Sequence, residues 1–228
     1  MSASVVRYVL FVVFSVSMIS AATSAEHRVV PLEESPPAEA LSEDILSQLS
    51  EHGVAVIRGE KRTVCHIWLC RDWPVAADFK STSEVLYPFK PGQLIGVLRY
   101  KRKGGDFRDQ DISRGVYTLR YGQQPVDGNH EGTSPTRDFL LLIPADADQS
   151  SKPMDPKEML ALSPEAAESS HPALLGLQKV EGETEILPAM RHNEDEDWWI
   201  VQLNGQAKAG DTAHDLRLDF VVAGHARE

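Results

Sequence analysis

Apolar residues along this chain recur mostly every second position, the spacing of strands that bury one face. From Gly53 onward, runs of this kind cover 54–58 (VAVIR), 63–70 (TVCHIWLC), 82–87, 93–100 (QLIGVLRY), 115–121 (GVYTLRY) and 138–143 (DFLLLI), then 174–180, 197–203 and 216–222. Breakers separate them: Pro74, KPG at 90–92, KGGD at 103–106, GQQP at 122–125 and Pro144. In GVYTLRY, Tyr117, Leu119 and Tyr121 fall on one face and Thr118 and Arg120 on the other, which predicts a half-buried strand. DFLLLI is apolar on both faces and reads as a central strand; in 216–222, Leu216, Leu218, Phe220 and Val222 read as inward and Arg217 and Asp219 as outward.

Two interruptions have helical spacing. Ser42 is placed to cap a short helix from Glu43 to His52, with Ile45, Leu46 and Leu49 on one face and Gly53 as its stop. Asp155 before Pro156 opens KEMLAL, and Ser163 with Pro164 repeats the device, giving a short helical insert near 155–169. About nine short strands with turn signals between them predict an all-β fold, mainly an antiparallel β-sandwich, as a single domain over 42–228. Residues 26–41 are rich in proline and glutamate and read as a disordered lead-in.

The N-terminus adds a compartment. Arg7, the apolar run Val9 to Ile19 and small residues ending at Ala25 have the layout of a cleavable signal peptide over 1–25, cut after Ala25. The expected destination is the periplasm or the medium, with no membrane span after cleavage. The full chain of 228 residues carries a net charge of −11. Such a surface repels nucleic acid, so the expected partner is a protein or a small molecule.

Cys65 and Cys70 lie five residues apart in one predicted strand, roughly 16–17 Å at ~3.3 Å per residue, whereas a disulfide needs Cα atoms within about 7 Å. Two free, buried thiols are therefore expected. Cys65, His66 and Cys70 also form a weaker copper or redox candidate, although only His66 and Cys70 share a strand face.

The most suggestive chemistry lies in PVDGNHEGTSPTRD. Asp127, Asn129, Glu131, Gly132 and Asp138 occupy positions 1, 3, 5, 6 and 12 of a twelve-residue window, close to the ligand spacing of a calcium loop. The strand flanks, the long Glu at position 5 and the short Asp at position 12 fit a polar turn better. His130 and Glu131 begin an HExxH pattern that Ser134 breaks, so the zinc-protease reading fails. His171 completes the set of candidates that could gather at that end of the sheet. No catalytic residue is assigned and no cofactor is expected, with calcium or a transition metal as the alternative at this loop.

Two blocks carry resemblances. ISRGVYTLRYG resembles the Gly-x-Tyr-x-Leu strand entry of prealbumin-like and carboxypeptidase-regulatory-like sandwiches. More broadly, CHIWLCRDWP, the run from FRDQDIS to IPADAD, and SSHPALLGL are similar to a group of secreted bacterial proteins. The resemblance implies fold and compartment, and no activity. The function expected is a non-catalytic binding or scaffold protein. A metal-dependent hydrolase or oxidoreductase using the 127–138 loop, and a carbohydrate-binding module with one of Trp198 and Trp199 exposed, are the alternatives.

Overall fold

A computed structural model of the chain describes residues 26–83, 85–124, 136–182 and 186–226. In chain order the strands are β1 (His27–Leu32), β2 (Gly53–Arg58), β3 (Arg62–Leu69), β4 (Trp73–Pro74), β5 (Leu94–Tyr100), β6 (Gly104–Gly105) and β7 (Asp111–Ile112). They continue as β8 (Gly115–Gln123), β9 (Asp138–Pro144), β10 (Leu174–Gly176), β11 (Ala189–Asn193), β12 (Trp198–Ala209) and β13 (Thr212–Ala223). Helix α1 is Glu43–Leu46 and α2 is Pro156–Leu162, followed by a 3-10 turn at Ser163–Ala167. The fold is all-β and mostly antiparallel.

Seven strands form one sheet in the order β1-β2-β3-β5-β8-β9-β10, every neighbour antiparallel. A smaller sheet orders β11-β12-β13, with β4 pairing in parallel to β12. One apolar cluster takes Val56, Ile67, Leu98, Leu119 and Leu140 from the large sheet and Val201, Leu203, Leu218 and Phe220 from the small one. Burying each such side chain stabilises the fold by about 1.5–3 kcal/mol.

The apolar character of β9 has a direct cause. Leu140 and Leu142 enter the shared cluster, while Leu141 and Ile143 turn the other way and pack with Met159 of α2. The helical insert thus covers the second face. Its start follows the expected chemistry: Asp155 accepts from the Lys157 N–H at 2.9 Å, with Pro156 at the first position. Ser163 departs from it, since its hydroxyl bonds the Ala173 backbone and caps nothing.

Four expectations need correction. Residues 27–32, read as disordered lead-in, form edge strand β1; Pro31 is tolerated there because an edge strand can spare a donor. Glu34 then ties the following residues down, pairing with Arg99 and Lys101 while its carbonyl accepts from Trp68 Nε1. The first helix stops at Leu46 instead of reaching His52, because the Ser50 N–H is drawn to the Leu69 carbonyl at 2.9 Å. Residues 82–87 form no strand among the described residues; the Leu86 N–H goes to the Asp138 carboxylate instead of a ladder. Thr118 and Arg120, read as outward, are buried under the segment that begins at Asp148.

That segment docks on a glycine. Gly92 has φ +81, and a Cβ there would lie 1.9 Å from the Met154 carbonyl oxygen, whose own N–H bonds Gly92 at 3.0 Å. Gly92→Ala is expected to lose about 2–3 kcal/mol in a denaturant melt, through strained backbone and displaced docking together.

Candidate functional site

Strands β8 and β9 form a hairpin, and its base is pinned where Arg137 donates from Nε and Nη2 to the Gln124 carbonyl at 2.9 and 2.7 Å. Asp127, Asn129, His130 and Glu131 lie outside the described residues. Asp138 is fully buried, and its carboxylate is turned into the protein: Oδ1 accepts from the Tyr121 hydroxyl and Oδ2 from the Leu86 N–H at 3.0 Å. Burial pushes its carboxyl above the usual range, partly offset by those donors. This geometry is that of a framework carboxylate holding the 82–87 segment.

His171 does not join it. It is exposed, two residues before Ala173, whose carbonyl accepts from the Leu142 N–H. Asp138 instead takes the Leu177 N–H on its own carbonyl, four residues back along β9. At ~3.3 Å per residue that separation is roughly 13 Å.

Both cysteines are free and buried, and burial pushes each thiol up to about 12. Burial of this kind disfavours the thiolate, the form that attacks disulfides. His66 is buried beside them in sequence but serves another group: its Nδ1 meets Arg99 Nη2 at 2.8 Å, and its ring stands edge-on to Trp68 at 5.9 Å. Burial, then Lys101 and Arg99, lower its pKa to about 4, so the ring is neutral and accepts from Arg99. Among the described residues, no three His, Cys, Asp or Glu side chains are grouped to hold a metal ion.

Three buried polar knots escaped the sequence reading. Arg120 spends all five N–H donors: on both oxygens of Asp148 at 2.8 Å, on the Gly92 and Lys152 carbonyls at 2.9 and 2.7 Å, and on the Ser150 carbonyl. Asp219, read as outward, is instead fully buried: it accepts from Arg217 and from Gln202 Nε2 at 2.9 Å, while the Tyr87 hydroxyl accepts its N–H at 3.0 Å. Asp106, beyond the Gly104–Gly105 strand β6, accepts from the Arg108, Gln110 and Leu174 N–H groups and from Gln110 Nε2. All four tryptophans are buried, so neither Trp198 nor Trp199 offers the exposed platform that a sugar-stacking surface needs. Trp198 packs on Phe107 at 5.0 Å, and Trp199 lies against His192 at 4.1 Å.

One accessible cleft differs in kind. It encloses 330 Å³ between the end of the large sheet and the end of β13, and His27, Arg58, Arg62, Arg102 and Lys103 line it. The first three stand side by side, since His27 pairs with Arg58 and Arg58 with Arg62 across β1, β2 and β3. Directly paired residues project from the same face, and like charges so placed repel. Arg58, Arg62 and Arg102 have no ion pair among the described residues; Lys103 pairs with Asp111. His27 is only 6% exposed, its ring lies 4.8 Å from that of Trp199, and its Nδ1 is buried with no hydrogen-bond partner among the described residues. Burial, then Arg58 and His192, lower its pKa to about 4.

Compared with known family models, curated proteins and solved structures, the chain matches none. The sequence signal for the cleft was the pair of arginines bracketing the β2–β3 turn, R-GEK-R at 58–62, in an otherwise acidic chain.

Proposed function

We propose that this chain is an exported, non-catalytic binding protein built as a β-sandwich, with its ligand held in the cleft around His27. One contrast carries the reading. The buried ionisable groups Arg120, Asp106, Asp138, Asp148 and Asp219 are each engaged by internal partners. The cleft groups Arg58, Arg62 and Arg102 are not, among the described residues, and His27 Nδ1 lies buried beside them without a partner. Buried polar groups fully engaged inside a fold specify its architecture, whereas polar groups left open at a concave surface are available to a ligand.

The sandwich reading is supported by the apolar cluster that both sheets share. A local feature supports it too. The Tyr117 hydroxyl donates to the Ser113 carbonyl four residues back at 2.8 Å, passing over Gly115, an arrangement like the tyrosine corner of sandwich domains. Export rests on the signal-like residues 1–25, with a partner or ligand met in the periplasm or the medium.

Thermal-shift screening of the exported protein against a small-molecule library, with mass spectrometry of each hit after incubation, tests this reading. The expected result is a chain beginning at Glu26, and stabilising ligands recovered unchanged. A ligand consumed on incubation, or a chain retained inside the cell, would overturn it.

A further inference from the structure

We infer that the cleft around His27 is a site for a small multivalent oxyanion, a ligand carrying phosphate or clustered carboxylate groups. This rests on the reading of the cleft as the ligand site and adds the ligand's chemistry. The protein as a whole carries a charge of −11, yet three strand ends deliver four cationic side chains to one place: Arg58 from β2, Arg62 from β3, and Arg102 and Lys103 after β5. Arg58 and Arg62 face each other in register, and neither forms an ion pair among the described residues. An oxyanion set between two such guanidinium groups removes the repulsion and accepts forked hydrogen bonds from both.

The carboxylates that line the same cleft do not compete for the arginines. Asp106 is buried and already accepts from four donors. Asp111 pairs with Lys103, and Asp109 reaches toward His225 at 4.0 Å.

His27 supplies the second, independent observation. A buried imidazole nitrogen without a partner leaves a hydrogen bond unmade, which native proteins rarely tolerate away from functional sites. A turn of the ring that brings Nδ1 to the cleft surface would let His27, with its proton on Nδ1, donate to an anion seated against Arg58, its neighbour in register. The cleft volume falls within the roughly 300–1,000 Å³ of small-molecule sites, so the fitting ligand is a compact polyanion. A nucleic acid is opposed by the charge on the rest of the surface.

Isothermal titration of the full mature protein with inorganic phosphate, pyrophosphate and citrate, at low ionic strength, tests the inference. Phosphate and pyrophosphate against citrate separates a phosphate preference from a carboxylate one. The expected result is saturable binding of at least one probe, weakened at least ten-fold in an Arg58→Gln/Arg62→Gln variant and at least three-fold in His27→Phe. Lys80→Gln, which removes one exposed positive charge that does not line the cleft, is expected to leave the affinity unchanged. Unaltered melting temperatures check that each variant is folded; should the double variant unfold, Arg102→Gln with chloride competition replaces it. The inference is overturned by absence of saturable binding to all three probes, or by equal losses in the cleft variants and Lys80→Gln. A neutral ligand that stabilises the protein while these anions do not would sink the oxyanion inference and leave the binding-protein reading standing.

Discussion

Asp148→Ala is expected to cost about 3–5 kcal/mol of folding stability, the penalty for leaving a buried charge without its partner. Arg120 is wholly buried, and two of its five hydrogen bonds end on the Asp148 carboxylate. Removing that carboxylate strands a guanidinium in the interior and also releases Thr118, whose hydroxyl donates to Asp148. The carbonyls of Gly92, Ser150 and Lys152 remain as acceptors but carry no full compensating charge. A double variant, Arg120→Met with Asp148→Leu, is expected to recover much of the loss, because replacing both partners avoids burying a lone charge. Urea unfolding with unchanged slope measures both effects. A loss under 1 kcal/mol for the single variant would show that the pair holds nothing in place.

Acid is expected to weaken the fold through two histidines. His27 and His66 are both held near pKa 4 in the folded protein by burial and neighbouring cations, against an ordinary value near 6.5. As pH falls below 6.5, the unfolded chain takes up protons that the folded chain refuses. Their contribution to stability is therefore full above pH 6.5, lost between pH 6.5 and about 4, and flat below. The full loss is on the order of 3 kcal/mol per histidine. For His27 the facing groups are Arg58, Arg62 and His192, which oppose protonation, and Asp197, which favours it. The raised carboxyls of Asp106 and Asp138 act with the opposite sign: their protonation on acidification stabilises the folded state. The clean observable is thus a difference. Relative to a His27→Gln/His66→Gln double variant, the native protein is expected to lose several kcal/mol between pH 7 and pH 4.5 by urea melts. Parallel pH profiles would contradict the assignment of the two rings as neutral and buried.

How much of this was legible in the residues depends on what reads each one. Alternation located β2, β3, β5, β8, β9, β10, β12 and β13, because period-2 burial is a local property, but it left β11 (Ala189–Asn193) unread; DFLLLI was correctly read as covered on both faces. Burial of Thr118 and Arg120 was not legible. Their shared face follows from parity, but the segment that covers it comes some thirty residues later, and no local pattern announces it. Strand β1 was hidden by its composition: HRVVPL is followed by an acidic, proline-rich stretch, and only pairing with β2 makes it a strand. That miss also concealed the site, since His27 read as part of a disordered lead-in. The cleft needs three strands in register before its charges meet, whereas the 127–138 loop presents its carboxylates consecutively. Local concentration drew attention there, and only Asp138 of that set falls among the described residues.

The most direct measurement is a titration followed by NMR, with arginine side-chain and histidine ring signals assigned and pyrophosphate as the probe. The expected result is saturable shifts in the His27 ring and in the Nε–H signals of Arg58 and Arg62, with Arg120 unmoved in its buried pair. Shifts centred on the 125–135 segment, with His27, Arg58 and Arg62 silent, would contradict the placement of the ligand site.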